Sequence, residues 1–120
     1  MPESIPLDLV GYNHTDRSIY AFGVDGQGGP YIDAHKGGGN FTCCASVPRT
    51  YRPGMTMKVE WVNGRNDVPQ QRTVPVPPYR VNEIGTLSVH FLRDGDIKVF
   101  VTMMTLWHPH YPLKGDEARL

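Results

Sequence analysis

Apolar positions in this chain recur in short runs with a period of two, and glycine or proline closes almost every run. The cleanest run lies around Met57, Val59 and Trp61. These alternate with Thr56, Lys58, Glu60 and Val62, as in a strand with one buried face, and Trp61 is expected to anchor the core. Leu87, Val89 and Phe91 alternate up to Arg93-Asp94-Gly95-Asp96, and Ile97, Val99, Val101 and Met103 alternate away from it, which predicts a hairpin turning at Asp94-Gly95. Phe41, Cys43, Ala45 and Val47 form a further row that stops at Pro48. Ser18 to Val24 is rich in β-formers. Ile5 to Val10 reads as an edge strand because of Pro6, paired with the 18–24 strand after a turn over residues 11–16. Gln71 to Val76, stopped by Pro77-Pro78, belongs at a sheet edge for the same reason.

About seven strands at spacings of roughly ten to twenty residues, with no helical period beyond two turns, predict an all-β fold. The expected form is an antiparallel sandwich with immunoglobulin-like topology as the leading arrangement. Only strand number and spacing support that topology, since both cysteines lie in one short run and no bridge between sheets can form. Two segments interrupt the pattern. Residues 25–40 contain six glycines among sixteen residues and read either as a long loop, a length usually reserved for function or disorder, or equally as a wide turn that holds a short Tyr31-Ile32 strand. Residues 112–120 read as a loose charged terminus.

Composition narrows the class. At 120 residues the chain suits a single domain, residues 1–120, large enough to fold without a metal or disulfide. Twelve basic and twelve acidic side chains cancel, leaving no surplus charge to hold a phosphate backbone, so nucleic acid is not an expected partner. No apolar run reaches the roughly 20 residues of a membrane-spanning helix, and Met-Pro-Glu-Ser has none of the features of a secretory signal.

Candidate chemistry is sparse. Adjacent side chains on a strand point to opposite faces, so Cys43 and Cys44 are first read as packing residues and second as a vicinal disulfide. Two thiols without further cysteines do not complete a zinc site, and His108-Pro109-His110, with His14 and His35 in loops, shows no metal-binding spacing. No Gly-x-Ser-x-Gly frame surrounds Ser4, Ser18, Ser46 or Ser88. The clusters Gly26-Gln27-Gly28-Gly29 and Gly37-Gly38-Gly39 lack the Lys-Ser/Thr of a phosphate loop and read equally as hinges and as a contact loop. The expectation is therefore a protein that is not an enzyme, with no catalytic residues, no cofactor and no metal.

Gly11-Tyr12-Asn13-His14-Thr15, Gly37-Gly38-Gly39 through Cys43-Cys44, Pro48-Arg49, Tyr51-Arg52-Pro53-Gly54, Val89-His90-Phe91-Leu92 and Tyr111-Pro112-Leu113 together resemble a family of small bacterial proteins. That family, long catalogued as of unknown function, includes immunity proteins encoded beside phospholipase effectors of the type VI secretion system. The resemblance runs from about residue 7 to 114. It implies an immunity protein that binds a lipase toxin and occludes its active site or lid. It also implies a periplasmic site if a signal has been removed, with room for a lipid anchor on the precursor; for the chain as it stands the cytoplasm is the alternative. A non-inhibitory envelope adaptor is the other functional reading, and a small metal or ligand binder using His108 and His110 a third. No family motif marks a contact site. An inhibitor's interface needs aromatic or Arg anchors with a polar rim, which Tyr31, Asp33, His35, Lys36, Arg65, Asn66, Asp67, Trp107 and Tyr111 would supply.

Overall fold

Alternating apolar residues give each strand one face to bury, and strands of that kind are stable only when two such faces meet. The computed structural model describes residues 4–29 and 31–120, apart from the side chains of Gln27, Asn40 and Phe41; the inward position expected of Phe41 falls outside it. Eight strands form among the described residues: β1 (Ser4–Asn13), β2 (Ala21–Val24), β3 (Gln27–Gly29), β4 (Lys36–Pro48), β5 (Thr56–Val62), β6 (Gln70–Pro75), β7 (Thr86–Phe91) and β8 (Ile97–Thr102). They make two four-stranded sheets, β4-β1-β7-β8 and β3-β2-β5-β6, stacked as a sandwich. The core between them contains Leu7, Leu9, Phe22, Val24, Val47, Val59, Val89 and Val99. Trp61, half-buried, packs edge-on against Phe91 with ring centroids 5.8 Å apart.

The expected all-β sandwich is present, and the β7–β8 hairpin turns at Asp94-Gly95, where Gly95 takes φ +90°. β6 lies at a sheet edge, and Arg72 on it donates to Gly95 O of the hairpin at 2.7 Å. Pairing departs from expectation at β1. It does not join β2; it pairs antiparallel with β4 and parallel with β7, which leaves the immunoglobulin-like topology without support. Nor is β1 an edge strand. β7 joins it only from Asp8 onward, so Pro6, which lacks an N–H, sits where no donor is wanted on that side.

The two irregular segments are also more ordered than their composition suggests. In residues 25–40, Asp25-Gly26 turns β2 into β3, Ile32 bridges to Ile19, and the Gly37-Gly38-Gly39 run is already part of β4. Residues 103–120 form a strap across the outer face of the first sheet. Leu106, Tyr111 and Leu113 pack there on Val10, Tyr12 and Leu92, with Met104 and Leu120 at the margin. Leu113, placed in a loose terminus by its charged neighbours, is 3% exposed. Those neighbours anchor the strap from its polar side: Arg93 donates to Asp116 O and Leu120 O, and Lys98 reaches Glu117 at 3.1 Å.

Candidate functional site

β1 ends inside the protein, and its last residues organise the loops around that end of the sandwich. Asn13 is fully buried. Its amide donates to Arg17 O at 2.7 Å and to Asp33 O at 3.2 Å, while its carbonyl oxygen accepts from the backbone and hydroxyl of Thr15. One side chain thereby fixes residues 14–18 against residues 32–33. Asn63 donates to Ser18 O, and Arg17 reaches Asp67 at 3.4 Å, which brings residues 63–67 to the same end.

This end gathers most of the contact residues expected from sequence. Tyr31 is exposed and meets Tyr20 edge-to-face at 6.5 Å. Asp33, Lys36, Arg65, Asn66 and Asp67 are exposed. His35 takes a left-handed φ of 58°, and its ring lies between two acceptors, Leu120 O at 2.5 Å and Asp16 Oδ1 at 2.7 Å. Those two hydrogen bonds, the Leu120 one first, raise its pKa above the ordinary histidine value. Asp16, Arg17 and Tyr20, which stand beside the expected residues, carry no local motif that would single them out.

Trp107 is 62% exposed and leans edge-on against Tyr12, centroids 6.0 Å apart. Gly38 makes room for that contact. It has φ +80°, and a Cβ there would lie 2.9 Å from the Tyr12 ring and 3.0 Å from the Trp107 indole. The central glycine of the run thus seats an aromatic side chain on the surface.

Tyr111 does not belong to the contact surface. It is 1% exposed and starts a buried chain of polar groups: its hydroxyl lies 2.6 Å from His90 Nε2, His90 Nδ1 lies 2.9 Å from His14 Nε2, and His14 Nδ1 lies 2.9 Å from Arg119 O. Arg119 O can only accept, so His14 carries its proton on Nδ1 and accepts at Nε2. His90 then donates from Nδ1 and accepts the Tyr111 O–H at Nε2. Each member is held toward its neutral form, the state that this tautomer assignment requires. Burial pushes the His14 and His90 pKa values below the ordinary range, with the neighbouring His14 ring also lowering that of His90, and burial drives the Tyr111 phenol upward. Tyr12 stacks on His90 with centroids 4.4 Å apart. Ser88 Oγ lies in the same layer, close enough to Tyr111 to favour its ionised form, yet without hydrogen-bond geometry to any group.

One further group of chemically competent side chains sits away from this end. Asp8, Cys43 and Cys44 hold a carboxylate oxygen and two sulfurs within 4.8 Å of one another, the one such metal-ligand trio among the described residues. The two sulfurs are joined as a vicinal disulfide, so the packing expected of the cysteines gives way to the second of the two readings made from sequence. Nothing local to Asp8 in the sequence signals a partner on β4. His108 and His110 join no such trio. They are exposed, and His108 Nδ1 accepts the His110 backbone N–H at 3.0 Å.

No helix among the described residues is long and apolar enough to cross a membrane. No curated protein and no solved structure matches the chain. A family model does match it, over residues 12–99, a stretch that contains the end of β1, the Gly38 seat, the cysteine pair and His90. The chain belongs to that family, described as protein of unknown function (DUF3304).

Proposed function

We propose that this domain is a stoichiometric inhibitor of a phospholipase effector of the type VI secretion system, acting in the periplasm by seating the loop end of the sandwich over the mouth or lid of the toxin. The resemblance described above motivates the toxin class. The observation that carries a binding role is Trp107, a large apolar side chain held out in solvent by Tyr12 and a glycine seat. An indole 62% exposed offers a large apolar area to a partner, and an aromatic side chain already leaning on its neighbours loses little entropy when that partner covers it. Tyr20, Tyr31, Arg17, Asp67 and Lys36 supply aromatic and charged types suited to the rest of an interface.

The test is coexpression with the lipase encoded beside the gene. The expected outcome is a one-to-one complex that copurifies, together with restored growth of cells carrying the toxin. Unrelieved toxicity would overturn the inhibitor reading. A complex that forms while lipase activity stays intact would favour the adaptor.

A further inference from the structure

The β1–β4 ladder slips opposite Asp8. Leu7 faces Ala45 and Leu9 faces Thr42, so Cys43 and Cys44 together stand across from one residue. A bulge of this kind breaks the strict alternation of side chains and re-aims one of them. Neighbouring cysteines, which a regular strand would send to opposite faces, here meet. Leu7 and Leu9 both point into the core, which leaves Asp8 on the outer face of the sheet. The strap covers the next outward residues of β1, Val10 and Tyr12, and Asp8 remains exposed. Cys43 is exposed as well, and Cys44 half-buried.

We infer that, once the disulfide is reduced, Asp8, Cys43 and Cys44 form a chelating site for a thiophilic divalent cation of the Zn2+ and Cd2+ type, and that oxidation of the pair empties it. Two thiolates and a carboxylate are a donor set that such ions accept, and three protein donors leave a fourth position for water. Donors around a tetrahedral zinc stand roughly 3.5–3.8 Å apart, given metal–ligand distances of about 2.0–2.3 Å. Reduction frees the two sulfurs to move apart to that spacing, and both already lie within 4.8 Å of an Asp8 carboxylate oxygen. Metal binding needs both thiols deprotonated, so it releases protons and strengthens as pH rises. In the opposite direction a small-molecule disulfide oxidises the site. The two thiolates surrender two electrons and form the Cys43–Cys44 bond, the oxidant takes up those electrons and two protons to become two thiols, and the cation leaves as M2+.

The test is titration of the whole chain with Cd2+ after reduction by a phosphine and its removal. A thiolate-to-metal charge-transfer band should saturate at one Cd2+ per chain, be absent before reduction, and disappear on addition of oxidised glutathione. Asp8→Asn, at an exposed position, should keep the thermal unfolding of the parent and weaken Cd2+ by at least about tenfold; Cys43→Ser and Cys44→Ser should each remove the band. No band after reduction, saturation at half an equivalent, or parental affinity in Asp8→Asn would overturn the site. If the serine variants fail to fold, the Asp8→Asn titration decides alone.

Discussion

The two sheets of this sandwich share one core and differ in what covers their outer faces. The first sheet is covered twice, by the second sheet inside and by the strap outside, and its inner strand β1 is buried at every residue from Leu9 to Asn13. The second sheet leaves its outer face open. Lys58 and Glu60 point to solvent there, and a shallow groove runs over Ala21, Gly23, Gly28 and Val62. The difference shows how an 18-residue tail, apolar on its inner side and charged over residues 114–119, turns one layer of strands into a base from which an indole and several loops can be displayed. It also locates the stabilising polar chemistry. His14, His90 and Tyr111 are buried because the strap excludes water from them, whereas the polar groups of the second sheet remain wet.

Substitution should break this asymmetry most strongly at the strap. Leu113→Ala removes a buried side chain from under it and is expected to cost about 2–5 kcal/mol, while Val62→Ala on the open face should cost less than about 1 kcal/mol. Urea midpoints of the two variants measure the contrast, and equal losses would mean that the strap adds little to folding. Tyr111→Phe keeps the ring and deletes the hydroxyl. His90 Nε2 would lose its donor in a dry layer, at a cost of about 1–3 kcal/mol by the same measurement.

A change of pH acts on the same face. His14 and His90 are held below the ordinary histidine range, so between those lowered values and about pH 6.5 the unfolded chain binds protons that the folded chain refuses. Their contribution to stability is complete above about pH 6.5 and is lost as pH falls through the folded values. His35 has the opposite sign: its pKa is raised, so its contribution is present below about pH 6.5 and disappears as pH rises through the folded value. Its ring is exposed, and solvent keeps that effect small. Tm should therefore decline from pH 7 to pH 5, and His90→Gln, which cannot titrate, should flatten the decline. A Tm that rises on acidification would show that His35 outweighs the buried pair.

Local pattern made the open sheet and the hairpin legible, and long-range cover hid the rest. Met57-Val59-Trp61 and Asp94-Gly95 announce their structures because each signal lies within a few residues. The buried chain does not. Ser88 and His90 occupy the outward positions of β7, which alternation assigns to solvent; only the strap, folded back from more than ten residues downstream, makes them interior. For the same reason the sequence pattern leaves Tyr111 looking like a surface contact and Leu113 like part of a loose tail, although both are buried. The glycine run was visible as unusual, but its purpose depends on Trp107, some 70 residues away in sequence. Asp8 and the cysteine pair are separated in the same way, joined only by the slipped register of β1 and β4.

The smallest effect on folding is expected at Trp107, and it sharpens the comparison most. The indole rests on Tyr12 and Gly38 at the margin of the strap and buries little, so Trp107→Ala should shift stability by no more than about 0.5 kcal/mol. If the covered sheet serves as a base that presents this side chain, the same substitution should weaken toxin binding by about 2 kcal/mol, roughly thirtyfold in Kd. Gly38→Ala should weaken binding in parallel, because its Cβ would press on both the Tyr12 and Trp107 rings and unseat the indole. Calorimetric titration of the lipase with the two variants gives both numbers. Parental affinity in Trp107→Ala, with the fold intact, would separate the anchor from the inhibitor role and move the interface to Tyr20 and Tyr31, at the other side of the loop end.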